Sequence, residues 1–161
     1  MKWMNKAAWS ILTLAVALLP GAGFCAQVKN TTDALTEPAK SVLEHYVAIQ
    51  KELARDSLKE VSENASAIAK AVKAEESKNF PPEFAKQADT LAQARDIKKA
   101  REAFKPLSES LVKYVAERKV GKGTYHEAYC DMARASWLQT EKEVRNPYYG
   151  KAMLDCGTLK N

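Results

Sequence analysis

A chain of 161 residues, 28% of them charged and with a formal net charge of +5, has the size of one domain. Its 25 basic residues are interleaved with 20 acidic ones, as on solvated helix faces, which argues against a nucleic-acid partner. The sequence has no glycine-rich phosphate loop, no H-E-x-x-H, no C-x-x-C and no Ser, His and Asp spacing that suggests a triad, so it is not expected to be an enzyme.

The first segment reads as a secretory signal peptide over residues 1–26. Lys2 and Lys6 form a positive start, Ala7 to Leu19 is almost wholly apolar, and Pro20-Gly21-Ala22-Gly23 breaks the run. The run is too short for a comfortable membrane span. Export to the periplasm is expected, with no membrane span in the mature chain. Cleavage after Ala26 leaves Phe24 at the third position back, where a small residue is preferred, whereas cleavage after Cys25 places Gly23 there. A lipid-anchored Cys25 is the less favoured alternative, because bulky Phe24 precedes it. Once the leader and Cys25 are gone, Cys130 and Cys156 remain, and only one intramolecular pairing is open to them.

Residues 27–36 are polar and read as a flexible lead-in to one domain over 37–160. A first helix is expected near Thr36, with Pro38 in its first turn and an apolar stripe of Leu43, Tyr46, Val47 and Leu53 flanked by Val42 and Ile49. His45 falls off that stripe and reads as a solvated side chain. Ser57-Leu58-Lys59-Glu60 fits a capping box opening a second helix that ends near Ala74. After the break from Ser77 to Pro82, a third helix is expected from Glu83 to Ala94. Asp96 suits the cap of a fourth, Ile97 to Arg118, which Pro106 should kink. The spacing leaves open whether the third and fourth helices form one bent rod.

Four amphipathic helices with short connections predict an all-α fold, an up-and-down bundle. The C-terminal segment, 124–160, has a different texture, with Tyr125, Tyr129, Trp137, Tyr148 and Tyr149 crowded together. It is expected to be irregular, with short turns, a small hairpin and one helical turn near Tyr149 to Leu154, its aromatics packing it onto the bundle.

That segment also carries the candidate chemistry. In a strand Cys130 and Met132 point the same way, and in a helical turn Met153 and Cys156 do. Each pair can offer a thiolate and a thioether to one point, a soft donor set that suits Cu(I) better than Mg²⁺ or Ca²⁺. His126, four residues before Cys130, is a weaker candidate for a nitrogen ligand. The competing expectation is a Cys130–Cys156 disulfide, the commonest fate of two cysteines in an exported chain. Spacing alone leaves the two readings open.

Four short pieces in order carry a resemblance: Tyr129-Cys130-Asp131-Met132-Ala133, Ala135-Ser136-Trp137-Leu138, Asn146-Pro147-Tyr148-Tyr149-Gly150 and Met153-Leu154-Asp155-Cys156-Gly157. They are similar to the pattern C-P-M-A, A-x-W-L, N-P-Y-[FY]-G, M-L-x-C-G of a small exported helical domain of unknown function. That domain occurs alone or fused to periplasmic adaptor subunits of copper and silver efflux systems. The resemblance implies soft-metal handling in the periplasm, with Cu(I) or Ag(I) held at Cys130, Met132, Met153 and Cys156. It also implies buffering of the metal or its transfer to an efflux adaptor or another periplasmic protein. Two features depart from the pattern. Asp131 stands where proline is usual, and the segment between Met132 and Trp137 is short. The alternative function is a disulfide-stapled interaction module that binds no metal.

Overall fold

The computed structural model describes residues 35–75 and 79–160. The signal peptide, Cys25 and residues 27–34 of the lead-in lie outside the described residues.

Helix α1 (Ala39–Ala54) buries Val42, Leu43, Tyr46, Val47, Ile49 and Leu53, so the predicted stripe and both its flanks face the core. His45 is only half exposed, and its Nδ1 lies 2.8 Å from Asn64 Oδ1 on the next helix. Helix α2 (Val61–Ala74) starts later than the capping box predicted. Ser57 Oγ accepts the Lys59 N–H and closes a turn, and α2 then begins after Glu60 with no side-chain cap. Val61, Ala65, Ile68 and Ala69 form its buried face.

Helices α3 (Pro82–Ala92) and α4 (Ile97–Arg118) are separate. Asp96 accepts the Lys99 N–H at 2.8 Å and so caps α4, satisfying one of the amides that a helix start leaves open. Pro106 lies on the exposed side of α4, and the helix runs through it. The helices pack in chain order, α1 on α2, α2 on α3 and α3 on α4. Among the described residues no helix is long and apolar enough to cross a membrane.

The all-α expectation is wrong. Strands β1 (His126–Cys130), β2 (Ala135–Gln139) and β3 (Thr158–Leu159) form an antiparallel sheet in the order β2-β1-β3. Ala128 pairs with Trp137 and with Leu159, and Cys130 pairs with Ala135. The predicted small hairpin is thus two strands of a three-stranded sheet, and the predicted helical turn is a 3-10 turn at Gly150–Ala152.

The sheet is part of the core. Strand β2 packs against both α4 and α1, filling the seam between the first and last helices. There Tyr46 of α1 and Ser108 of α4 share a hydrogen bond at 2.5 Å, Tyr46 Oη accepts the Leu138 N–H, and Ser108 Oγ donates to the Ser136 carbonyl. These bonds satisfy the outer edge of β2, which otherwise presents unpaired backbone groups. Burial drives the Tyr46 hydroxyl far above its ordinary pKa, so it stays a neutral donor and acceptor. Trp137 is fully buried and meets the edge of Tyr148 at 5.9 Å.

Candidate functional site

Strand β1 ends at Cys130, and the chain turns through Asp131-Met132-Ala133-Arg134 into β2. The turn closes with Arg134 N–H on the Asp131 carbonyl and is tied to α4 by Lys105 Nζ on the Ala133 carbonyl at 3.0 Å. Cys156 arrives from the other direction, in a turn whose N–H bonds the Met153 carbonyl at 3.2 Å. The next residue, Gly157, has φ +140, and a Cβ there would lie 2.8 Å from the Trp137 ring and 2.9 Å from the Tyr129 carbonyl oxygen. Only glycine lets the chain cross this closely over β1 and bring Cys156 beside Cys130.

The two sulfurs stand 2.9 Å apart as free thiols. Cys130 is fully buried and Cys156 is half exposed. Their protonation is divided. Burial pushes the Cys130 thiol up, but hydrogen bonds from the Cys156 thiol, the Ala133 and Met132 backbone and the Asn146 side chain bring it below its ordinary value. Cys156 is pushed up to about 11, first by its hydrogen bond to Cys130, then by desolvation, the charge on Cys130 and the carboxylates of Asp155 and Asp131. The two thiols are thus driven apart in acidity: Cys130 loses its proton more readily than Cys156.

The other predicted ligands are placed differently. Met132 lies in the hairpin turn, past the end of β1, and is 64% exposed. It is the one exposed large hydrophobic residue among those described. Met153 is half buried at the end of the 3-10 turn. His126 shares a face with Cys130 but opens the strand that Cys130 closes, so their Cα atoms are roughly 13 Å apart at the usual strand rise. That is too far for one ion, since ligand atoms sit roughly 2–2.3 Å from a metal. Among the described residues no three His, Cys, Asp or Glu side chains gather at one point. Glu127 pairs with Lys160 at 2.6 Å.

Two buried amides that pattern reading did not single out hold this region. Gln139 Oε1 accepts from Trp137 Nε1 and Arg145 N–H, while its Nε2 donates to the Glu141 and Glu143 carbonyls. Asn146 Nδ2 donates to the Cys156 carbonyl at 2.7 Å, and its Oδ1 accepts the Tyr148 and Tyr149 N–H groups. Asn146 opens one of the motifs that carry the resemblance, and nothing local marked Gln139. A third tie docks the segment to the helices. Arg101 of α4 bonds the Pro147 and Leu53 carbonyls and pairs with Asp56 at 2.6 Å.

The sequence profile of a family described as "Protein of unknown function (DUF3347)" matches residues 42–123. The match runs from the first turn of α1 to the loop after α4 and stops before the strand that carries Cys130. No curated protein and no solved structure matches the chain. The profile takes in just over half of the sequence, and the chain belongs to the DUF3347 family of proteins of unknown function.

Proposed function

We propose that the Cys130–Cys156 pair is a binding site for a soft monovalent cation, Cu(I) or Ag(I), in a protein exported to the periplasm. The reading rests on one observation. Two thiols 26 residues apart in the chain converge to 2.9 Å, in surroundings that lower the Cys130 pKa.

The donor set argues for this class of ion. Among the described residues no third His, Cys, Asp or Glu joins the two thiols as a ligand, so the pair falls short of the four ligands of a structural zinc site. Thiolate donors select soft ions, and Cu(I) and Ag(I) accept low coordination. The Asp131 and Asp155 carboxylates disfavour a second bare thiolate and favour a cation that neutralises it. Met132, two residues after Cys130 in the hairpin turn, and Met153, whose carbonyl accepts the Cys156 N–H, are the thioethers carried by the same turns. His126 is left out of this set, because it stands at the far end of its strand. The protein would buffer the ion or hand it to a partner, and an efflux adaptor fits the resemblance carried by the C-terminal motifs.

Two sulfurs around an ion, each roughly 2.3 Å from it, stand roughly 3.8–4.6 Å apart. Binding therefore has to part this pair by about 1–2 Å. The same closeness favours a second reading, a disulfide that staples the C-terminal segment to β1 in a protein-interaction module without metal. Anaerobic Cu(I) titration against a chromophoric chelator separates the two. The soft-metal reading expects one Cu(I) per reduced chain, loss of binding in Cys130→Ser or Cys156→Ser, and weaker binding in Met132→Leu or Met153→Leu. Unaltered copper binding in the Cys130→Ser, Cys156→Ser double variant would sink it.

A further inference from the structure

Cys130 is fixed by the strand that carries it, but Cys156 is not. It lies between a turn and the two-residue strand β3, and its own N–H makes a 3.2 Å bond to the Met153 carbonyl. Among the described residues, the one side chain that bonds the Cys156 backbone is Asn146, from Nδ2 to its carbonyl at 2.7 Å. Asn146 is fully buried, and its side chain is among the groups that draw the Cys130 thiol down.

The two ends of this amide do separate work. The oxygen accepts the Tyr148 and Tyr149 N–H groups at 2.8 and 3.2 Å and so shapes the turn at 146–149. The nitrogen faces the cysteines. In addition, the Asn146 N–H reaches the Leu154 carbonyl at 2.7 Å, holding the stretch that leads to Cys156. We propose that Asn146 is the positioning residue of the thiol pair: its amide nitrogen anchors Cys156 against Cys130, so that the two sulfurs act as one bidentate unit. The proposal rests on the reading of this pair as the working site, but it concerns sulfur approach and not the identity of the ion.

Its test therefore contains no metal. The full-length protein is equilibrated with glutathione, in which the dithiol and oxidised glutathione exchange to the protein disulfide and two reduced glutathiones. That equilibrium constant measures the effective concentration of one thiol at the other. Asn146→Ala removes both ends of the amide, and Asn146→Asp keeps the acceptor for Tyr148 and Tyr149 but loses the donor. Both should lower the constant at least tenfold while circular dichroism remains that of the folded protein. A carboxylate beside Cys130 would by its charge favour the oxidised pair, so a fall in Asn146→Asp reports lost positioning. Where Asn146→Ala does not fold, Asn146→Ser, whose hydroxyl can accept from Tyr148, takes its place. Tyr148→Phe serves as the control for general loosening, since it removes the bond from Tyr148 to the Ser136 carbonyl without touching either cysteine. A wild-type constant in folded Asn146→Asp, or an equal fall in Tyr148→Phe, overturns the proposal. Failure here leaves copper binding untouched, and failure of copper binding leaves this equilibrium unchanged.

Discussion

Oxidising the Cys130–Cys156 pair should stabilise the fold by about 3.5 kcal/mol. The two cysteines are 26 residues apart. For a closed loop of that size the chain-entropy relation removes about 12 cal/mol/K from the unfolded ensemble, which is about 3.5 kcal/mol at room temperature. The folded side adds little cost, because the sulfurs already stand 2.9 Å apart as thiols. The assay is urea unfolding of the oxidised protein beside the same protein in dithiothreitol, followed by circular dichroism. With a slope of about 2 kcal/mol/M, the oxidised midpoint should lie about 1.7 M higher. The Cys130→Ser, Cys156→Ser double variant should unfold like the reduced protein and ignore dithiothreitol. Coincident midpoints, or an oxidised form that unfolds first, would refute the argument: the bond would then strain the native turn by as much as it constrains the unfolded chain.

Three further outcomes follow from the geometry. Cys156 stands at about 11 against an ordinary 9.0, with Cys130 as the first cause. A raised thiol is less ionised at pH 8, so Cys130→Ser should increase the thiolate fraction of Cys156. The accompanying loss of nucleophilicity offsets about half of the logarithm, leaving alkylation by iodoacetamide up to about tenfold faster. Peptide-resolved mass spectrometry reads that rate, and a slower Cys156 in the variant contradicts the assignment. Gly150 has φ +57, and a Cβ there would collide with the Asp56 carboxylate and the Arg101 guanidinium. Gly150→Ala should therefore cost about 2–4 kcal/mol in urea unfolding, and a change below about 0.5 kcal/mol would show that this interlock yields freely. Tyr46→Phe leaves the Leu138 N–H without its acceptor in a fully buried seam, and should cost about 1–3 kcal/mol. A stability equal to wild type would mean that β2 is not docked through this hydroxyl.

The helices were legible because their signals are local. The Asp96 cap and the expected span from Ile97 to Arg118 match α4, and the α1 stripe is buried as written. The capping box at Ser57 misled, since the serine closed a turn on Lys59 before the helix began. The sheet was harder to read for a physical reason. Each of its longer strands spans five residues, and β2 is buried at four of its five positions, so no alternation announces it. Its place is set by Tyr46 and Ser108, residues distant in sequence whose hydroxyls had no visible purpose in a helix stripe. At the site, the elimination that left Cys130 and Cys156 named the two residues whose sulfurs converge. The same-face argument for Cys130 and Met132 does not apply, because the strand ends at Cys130. Asn146 was visible as a motif residue, but its bond to the Cys156 carbonyl was not, and Gln139 stayed silent, because bonds to carbonyls of a folded loop leave no periodicity.

The most direct test of the central claim is a thiol count with metal analysis, on protein purified without reductant from its native compartment. The soft-metal account predicts copper or silver in the sample and two thiols that become titratable when a Cu(I) chelator strips the ion. Two thiols freed by a reductant alone, with no bound metal, would contradict it and leave the pair as a disulfide staple.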